Sequence, residues 1–273
     1  MTTTTTRTIA TPLTAAPAVS ELRWALHDAL AVTRRNLIRL VRQPQLVVFS
    51  TIQPVMFVLL FNYVFGGSIQ VPNGNYTDYL MPGIFVQTVA FGATQTAVGL
   101  AEDLAGGMID RFRSLPMARS AVLIGRTVSD LLRNIFVILL MTSVGYLIGF
   151  RRGGSWTAAI AALLIVAALG FALSWIYVYL GLSAPSAETA QAMAFVVTFP
   201  LVFASSAFTP VERMPGWLQA FARATPITNT VNAARALTLG TPATRPVVYS
   251  LAWILSILVV FIPLATARFR RSQ

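Results

Sequence analysis

Six blocks of about 20 mostly apolar residues dominate this chain, and their length constrains the fold more than any other feature. A helix of about 20 residues is long enough to cross a hydrocarbon core roughly 30 Å thick. Only 11% of the residues are charged, against about 25% in a typical soluble domain, so the chain lacks the polar surface of a water-soluble fold. We therefore predict an all-α, polytopic membrane protein with six transmembrane helices.

The predicted spans cover residues 45–65, 80–101, 133–150, 156–182, 189–208 and 247–267. Pro54 and Pro200 fall inside the first and fifth spans, where neighbouring helices can satisfy the freed carbonyl groups. Residues 1–20 are rich in Thr, Ala and Pro, so they bury too little apolar surface to offset chain entropy and are predicted to be a disordered tail. Residues 21–273 are predicted to be one transmembrane domain.

Residues 21–43 have the pattern of an amphipathic helix, with leucines at helical spacing on one side and arginines on the other. A basic amphipathic helix just before a span commonly lies in the plane of the lipid headgroups, which predicts an N-terminal interfacial helix. The alternative is a solvated helix that packs against a partner protein.

All 20 basic residues are arginine, and the net charge is +11. The arginines flank the apolar blocks instead of lining one soluble face, which favours membrane lipid over nucleic acid as their partner. With the N-terminus inside, fourteen arginines lie on the cytoplasmic side and six outside. The positive-inside rule thus predicts that both termini are in the cytoplasm, although Arg151 and Arg152 go against the rule. Abundant alanine and arginine without lysine suggest a bacterial genome, so we expect the protein in the bacterial plasma membrane.

Missing residue types exclude several classes of chemistry. Without lysine the chain has no phosphate-binding loop of the G-x-x-x-x-G-K type, so it is not an ATPase and is predicted not to be an enzyme. It has no cysteine and a single histidine, His27, so no metal site is predicted.

Energy coupling through a proton gradient normally requires an ionisable group inside the membrane. Asp130, Arg133 and Glu188 lie at or beyond the edges of the predicted spans, so a proton-coupled transporter is disfavoured. Sodium-coupled secondary transport stays open, because carbonyl and hydroxyl groups can bind sodium.

The stretch between predicted spans two and three alternates acids, arginines and apolar residues, as expected of a short helix and turn that dock into a groove on a soluble partner. The alternative is an ordinary positive-inside loop with one helical turn. The candidate contact residues are Glu102, Asp110, Arg111, Phe112, Arg113, Ser114, Leu115, Pro116 and Met117.

Two runs of residues carry a family resemblance. The first comprises Glu102, the run Arg111-Phe112-Arg113-Ser114-Leu115-Pro116-Met117, Arg119 and Gly125-Arg126. The second comprises Phe208-Thr209-Pro210, Met214-Pro215-Gly216-Trp217-Leu218, Pro226 and Asn232-Ala233-Ala234-Arg235. Together they resemble the type-2 ABC permeases, and the daunorubicin-resistance permeases of actinobacteria in particular.

The resemblance implies the membrane-spanning permease of an exporter for a hydrophobic or amphiphilic substrate such as a drug, lipid or secondary metabolite. Two separate nucleotide-binding subunits would bind ATP and Mg, with no cofactor in this chain, and a second permease copy or a sister permease would complete the pore. Residues 102–119 would be the coupling helix, and the turn at 184–188, with Pro185 and Glu188, a second motor contact. Export of a polysaccharide or glycolipid by the same architecture is an alternative.

The resemblance also implies re-entrant helices between spans five and six. Pro215 suits the first position of a short helix, and a second helix can begin near Pro226 and end at Gly240. Both are too short to span the membrane. The alternative is an amphipathic hairpin lying on the outer headgroups.

Polar and aromatic residues within the spans are candidates for the substrate path. Hydrogen bonding between helices would explain the amides equally well, and core packing would explain the rings. The candidates are Gln53, Phe57, Asn62, Gln87, Gln95, Phe199 and Phe203.

Overall fold

The computed structural model describes residues 33–34, 38, 42, 44–69, 71, 75–107 and 119–271, without the side chains of 44–50, 119–122 and 271. Within these ranges the protein is all-helical, as the sequence predicts. The predicted interfacial helix at 21–43 and the tail at 1–20 lie almost entirely outside the described residues. The described Thr33 is buried, and its hydroxyl donates to the carbonyl of Gly125 at 3.1 Å.

Eight α-helices form the described part of the chain. They are α1 (Pro44–Leu59), α2 (Tyr76–Ala105), α3 (Arg119–Ile148), α4 (Trp156–Gly181), α5 (Ala187–Phe203), α6 (Gly216–Ala224), α7 (Pro226–Leu239) and α8 (Thr244–Arg271). A π-helical turn, Leu60–Phe65, continues α1, and a short 3₁₀ turn, Val211–Arg213, precedes α6.

Four of these helices contain stretches long and apolar enough to cross a membrane: Tyr76–Ala105, Leu123–Ile148, Trp156–Gly181 and Thr244–Arg270. Two shorter apolar helices, Thr51–Phe65 and Ala187–Phe203, coincide with the first and fifth predicted spans. The helical blocks are therefore where the sequence predicts them. The two largest differences are that α3 begins at Arg119 instead of 133 and that α5 ends at Phe203 instead of 208.

Local sequence explains where several helices begin and end. Asn75, Ser155, Ser186 and Thr225 each accept a hydrogen bond from a backbone amide in the first turn of α2, α4, α5 and α7 respectively. Helix α7 ends at Gly240, whose φ of 74° is left-handed and suits glycine. The prediction of a helix from Pro226 to Gly240 is confirmed, and the preceding helix begins at Gly216, directly after Pro215.

Helix α2 forms the centre of the bundle, packed against α3, α4, α5 and α7. Gly181 on α4 allows close approach, since a Cβ there would lie 2.6 Å from the carbonyl oxygen of Ala97 on α2. A separate apolar cluster includes Leu100, Leu123 and Leu182, with Leu104 packed against it. The end of α2, the start of α3 and the α4–α5 turn therefore lie at one end of the bundle.

Residues 204–243 gather at the opposite end. The backbone amides of Gly153 and Gly154, in the α3–α4 connection, each donate to the carbonyl of Thr238 on α7 at 3.0 Å. The side chain of Asp78, at the start of α2, accepts from the backbone amide of Arg151 at 2.7 Å. The Arg151 guanidinium also donates to the carbonyl of Tyr146 in the last turn of α3, which is a favourable place for a cation.

The early end of α5 has a tertiary cause. Residues 205–208 are non-helical yet buried, so their backbone groups need partners. The hydroxyl of Tyr76 donates to the carbonyl of Phe208 at 2.9 Å, and the hydroxyl of Tyr79 donates to that of Ser206 at 3.3 Å. Side chains of α2 and α7 thus satisfy buried backbone groups of this irregular segment, since Arg235 also donates to the carbonyl of Ser206.

Candidate functional site

A cavity of about 70 Å³ lies between α1, α2 and α3, with room for about five water molecules. Three of the predicted substrate-path residues, Gln53, Gln87 and Gln95, line it together. The remaining wall residues are Pro54, Thr88, Phe91, Gly92, Arg133, Asn134 and Val137. Gln53 and Gln95 are solvent-accessible, whereas Gln87 and Asn134 are only 1% and 2% exposed.

Two amide atoms at the cavity have no hydrogen-bond partner within the described residues. They are the Oε1 acceptor of Gln87 and the Nδ2 donor of Asn134, both fully buried. The Asn134 side chain fits between two glycines: a Cβ on Gly92 would lie 2.5 Å from its Oδ1, and one on Gly170 would lie 3.2 Å from its Nδ2. Buried polar groups are ordinarily paired, so these two atoms are exceptions among the described residues.

A run of ring contacts, the phenylalanine ladder, extends from this cavity. Its members are Phe91, Phe195, Phe199, Phe203, Phe208, Phe57, Phe61 and Phe65. Successive ring centroids lie between 4.3 Å (Phe199–Phe203) and 6.4 Å (Phe91–Phe195) apart, which is the spacing of interacting aromatic rings. Phe195 and Phe199 remain 52% and 43% exposed, so the ladder is open along one side of α5.

The predicted aromatic path residues thus belong to one continuous surface. Phe57, on α1, contacts the ring of Phe203 at 5.8 Å, and Phe203 stacks on Phe199. Asn62 is placed differently, because its Oδ1 accepts a hydrogen bond from the Thr77 hydroxyl at 2.6 Å. That bond joins the π-helical turn to α2, as the inter-helix alternative for this amide predicts.

Two buried ion pairs lie where α2 packs against α3, and we name them the ion-pair ladder; the first pair joins the two helices, and the second lies within α3. Arg126 contacts Asp103 at 2.9 Å, and Arg133 contacts Asp130 at 3.3 Å. The hydroxyl of Thr96 on α2 donates to the Asp130 carboxylate at 2.6 Å. The four charged side chains are between 9% and 15% exposed, so the helices exclude most water from them.

Two glycines, seven residues apart on α2, make room for this ladder. A Cβ on Gly99 would overlap the guanidinium of Arg126. At Gly92 the backbone carbonyl accepts from Arg133 Nη2 at 2.6 Å. The arginines are also seven residues apart, so each glycine of α2 faces one arginine of the antiparallel α3.

Helix α3 begins before residue 133, so Asp130 and Arg133 both lie within this helix. The uncharged residues 134–148 follow them, and the expectation that these two residues lie at the edge of the span stays a prediction. Asp130 and Arg133 are paired with each other at 3.3 Å. Glu188 lies in the first turn of α5 and is exposed.

The predicted motor contacts are only partly described. Asp110, Arg111, Phe112, Arg113, Ser114, Leu115, Pro116 and Met117 lie outside the described residues. Glu102 is exposed in the last turn of α2, and Pro185 and Glu188 are exposed at the α4–α5 turn. The apolar cluster of Leu100, Leu104 and Leu182 brings these two places to the same end of the bundle.

Arg235, from the second family-like run, holds the opposite end together. Its guanidinium donates to the carbonyls of Tyr79 (3.1 Å) and Ser206 (2.8 Å) and to the side chain of Asn232 (3.1 Å). It also lies 3.6 Å from the ring centroid of Tyr79. Burial lowers the pKa of Arg235 to about 10, so the side chain still carries its charge at neutral pH.

Sequence reasoning missed Asn134, Gly92 and the ion-pair ladder. The usable signal was the matching seven-residue spacing of Gly92 and Gly99 with Arg126 and Arg133 on consecutive helices. That spacing places each set on one helix face. Asn134 carried no signal of its own, because a lone amide in an apolar helix is equally consistent with inter-helix bonding.

The chain is similar to known transporter proteins over most of its length. Residues 27–239 match the ABC-2 type transporter family. The daunorubicin resistance ABC transporter permease protein DrrB1 of Streptomyces coeruleorubidus is 33% identical over 222 residues, covering 81% of this chain and 78% of the relative. A probable doxorubicin resistance ABC transporter permease protein, DrrC, of Mycobacterium tuberculosis is 26% identical, covering 92% and 91%. A putative transport permease, ycf38, of Cyanophora paradoxa is 24% identical, covering 78% and 74%.

Proposed function

Because this multi-pass membrane protein belongs to the ABC-2 type transporter family, we propose that it is the permease subunit of an ATP-driven exporter for hydrophobic or amphiphilic compounds. ATP and Mg act in a separate nucleotide-binding subunit, present in two copies. A second permease copy, or a sister permease, completes the pore. Six spans, with both termini in the cytoplasm, cross the plasma membrane; α1 with its π-helical turn and α5 are the two short ones.

The observation that carries this proposal is the ion-pair ladder between α2 and α3. The part of the chain between these two helices holds the family-like run from Arg111 to Met117. Because the Arg126–Asp103 ion pair and the Thr96–Asp130 hydrogen bond join α2 and α3, a push on the loop moves both helices together. The cavity and Phe91 lie on the same two helices, so motor movement reaches the candidate substrate path directly.

Residues 204–243 fit the same scheme, with α6 and α7 as a pair of re-entrant helices. Helix α7 packs against α2, α4 and α8, and Ile227, Val231 and Ala234 on it are fully buried. This packing favours a helix inserted between the spans over a hairpin lying on the headgroups. The buried, non-helical residues 205–208 next to it are the kind of irregular backbone tolerated only inside protein or beside a cavity.

The substrate path comprises the cavity residues Gln53, Gln87 and Gln95 and the phenylalanine ladder, including Phe57, Phe199 and Phe203. Substrate must bind the two permease states with different affinity if ATP is to move it. A path shared by α1, α2 and α5 allows two states of different affinity. A shift of α2 changes the contact between Phe91 on α2 and Phe195 on α5, whose ring centroids lie 6.4 Å apart.

The function is tested by reconstituting the purified permease with its nucleotide-binding subunit in proteoliposomes. Daunorubicin, the compound in the relative's name, is a suitable first probe because it is fluorescent. We expect uptake into inside-out vesicles that requires ATP and stops when the phosphate-binding lysine of the motor is replaced. Accumulation by the permease alone under a sodium or proton gradient would show a secondary transporter instead.

Motor docking is tested separately by reversing charge in the α2–α3 loop. We expect Arg111→Glu with Arg113→Glu to reduce co-purification of the nucleotide-binding subunit by more than about tenfold, since each lost charge-assisted contact is worth about 1.5–3 kcal/mol. The control is Arg223→Glu with Arg245→Glu, the same charge change at two exposed positions near the other end. Wild-type co-purification with the loop variant contradicts the assignment.

A further inference from the structure

The connection between α3 and α4 presents an arginine and a tryptophan at the surface of the bundle. The Arg152 guanidinium lies 3.6 Å from the ring centroid of Trp156, which is 67% exposed. Arg152 is itself partly exposed, and its described hydrogen bond goes to the carbonyl of Gly154 at 2.8 Å. A guanidinium has more donors than this bond uses. We propose that Arg152 and Trp156 bind the headgroup of an anionic phospholipid, and that one acyl chain of this lipid lies along α4.

An exposed apolar stripe continues from this pair along α4. Ile160 and Leu164 follow Trp156 at intervals of four residues, so the three side chains lie on one face of the helix. Ile160 is 56% exposed and Leu164 is 62% exposed. At a rise of about 1.5 Å per residue, Leu164 lies about 12 Å along the helix from Trp156. The surface thus has a cation and an interfacial aromatic ring at one end and apolar groups beyond them, which matches the phosphate and the acyl chain of a phospholipid.

The charge around this pair favours an anionic lipid. Arg245, in the first turn of α8, is exposed, and α8 packs against α4. The α7–α8 turn reaches the α3–α4 connection, since a Cβ on Gly240 would lie 3.2 Å from the carbonyl oxygen of Gly153. Residues 149–164 and 240–260 contain no aspartate or glutamate. A lipid with a net negative charge therefore fits better than a zwitterionic lipid, whose ammonium group offsets the phosphate.

The same site gives a role to an arginine that goes against the positive-inside rule. Arg151 is used within the protein, because its guanidinium donates to the carbonyls of Tyr146 and Phe150. The backbone amide of Arg151 also donates to Asp78, the acidic side chain bonded to this connection. Arg152 has one ring and one carbonyl as its described partners, so it is the arginine available to a phosphate, which guanidinium groups bind well.

A second copy of the permease is a less suitable occupant of this surface. In a twofold dimer the same patch of both copies meets, so Arg152 and Arg245 would approach their own equivalents. Like charges that face each other weaken an interface, whereas a lipid phosphate brings the opposite charge. The inference requires that α4 cross the membrane, and it does not depend on which compound the protein transports.

Photocrosslinking in nanodiscs tests the inference at the proposed acyl-chain site. The nanodiscs contain equal amounts of phosphatidylglycerol and phosphatidylcholine with identical acyl chains. The variant Ile160→p-benzoylphenylalanine captures the lipid that lies against α4, and mass spectrometry of the crosslinked peptide identifies its headgroup. We expect phosphatidylglycerol to exceed phosphatidylcholine by about tenfold, the factor expected from one charge-assisted hydrogen bond. The same probe at Val259, a 64% exposed position of α8, should capture the two lipids equally.

Two substitutions in the probe-bearing protein assign the preference to Arg152. We expect Arg152→Gln to reduce the excess at position 160 to less than about twofold. The matched control is Arg223→Gln, which removes an exposed arginine of α6 and should leave the excess unchanged. Unchanged capture at Val259 in the Arg152→Gln protein reports that this variant is folded and inserted.

Three results would overturn the inference. Equal capture of the two lipids at position 160 with Arg152 intact would show no preference for an anionic headgroup. An excess that persists in Arg152→Gln would show that the headgroup binds elsewhere. Capture of a second permease chain in place of lipid would show that this surface is a subunit interface. All three are measured without the motor and without transport, so they are separate from the test of the proposed function.

Discussion

Removing one partner of the buried Asp130–Arg133 pair should destabilise the bundle more than removing both. In Arg133→Met the side chain keeps most of its length, but the Asp130 carboxylate loses its cation and keeps the Thr96 hydroxyl as its described donor. The two side chains are 9% and 12% exposed, so the cost of a buried pair applies and that of a surface pair does not.

The expected loss is about 3–5 kcal/mol of unfolding free energy for Arg133→Met. The double variant Asp130→Leu with Arg133→Met leaves no uncompensated charge, so it should lose less than the single variant. Reversible unfolding by SDS in mixed micelles, followed by circular dichroism, measures both values and that of the second single variant, Asp130→Leu. The control Arg223→Met removes an exposed arginine and should change stability by less than about 0.5 kcal/mol.

Two results would refute this reasoning. One is a loss for Arg133→Met no larger than that for the control, which would mean that the carboxylate is well solvated. The other is a double variant whose loss equals the sum of the two single losses, which would mean that the two side chains do not interact.

Three further substitutions are measured by the same unfolding experiment. Gly83→Ala should lower the unfolding free energy by at least about 1–3 kcal/mol, because the new Cβ would lie 2.7 Å from the carbonyl carbon of Ala207. The control Gly67→Ala should be nearly neutral, because nothing lies within 4 Å of its new Cβ. Equal losses for the two variants would contradict the close approach at Gly83. Arg235→Lys keeps the charge but loses the three-way bonding of the guanidinium, so we expect a loss of about 2 kcal/mol, and an unchanged stability would argue against its role. Gly240→Ala should cost about 1 kcal/mol because φ is 74°, and a stabilised protein would show that the turn relaxes.

Sequence alone determined which parts of the chain are apolar helices and where several of them begin. The length of the apolar blocks and the scarcity of charge require helices that cross a bilayer, because an extended chain in lipid would leave its backbone groups unpaired. Short-range signals such as Pro226 and Gly240 set the bounds of α7 correctly, since helix starts and ends depend on a few neighbouring residues. The family resemblance was equally available from sequence and is confirmed by the similarity over residues 27–239.

Only the tertiary structure decided which polar groups come together. Gln53, Gln87 and Gln95 were predicted from residue type, but their shared cavity, and Asn134 within it, depend on how α1, α2 and α3 pack. The end of α5 at Phe203 likewise depends on donors from α2 and α7 that are more than 20 residues away in sequence. The periodicity of apolar residues indicates the helix face on which a side chain lies. Pairing, burial and cavities form between helices, and the sequence of one helix does not specify which helix packs against it.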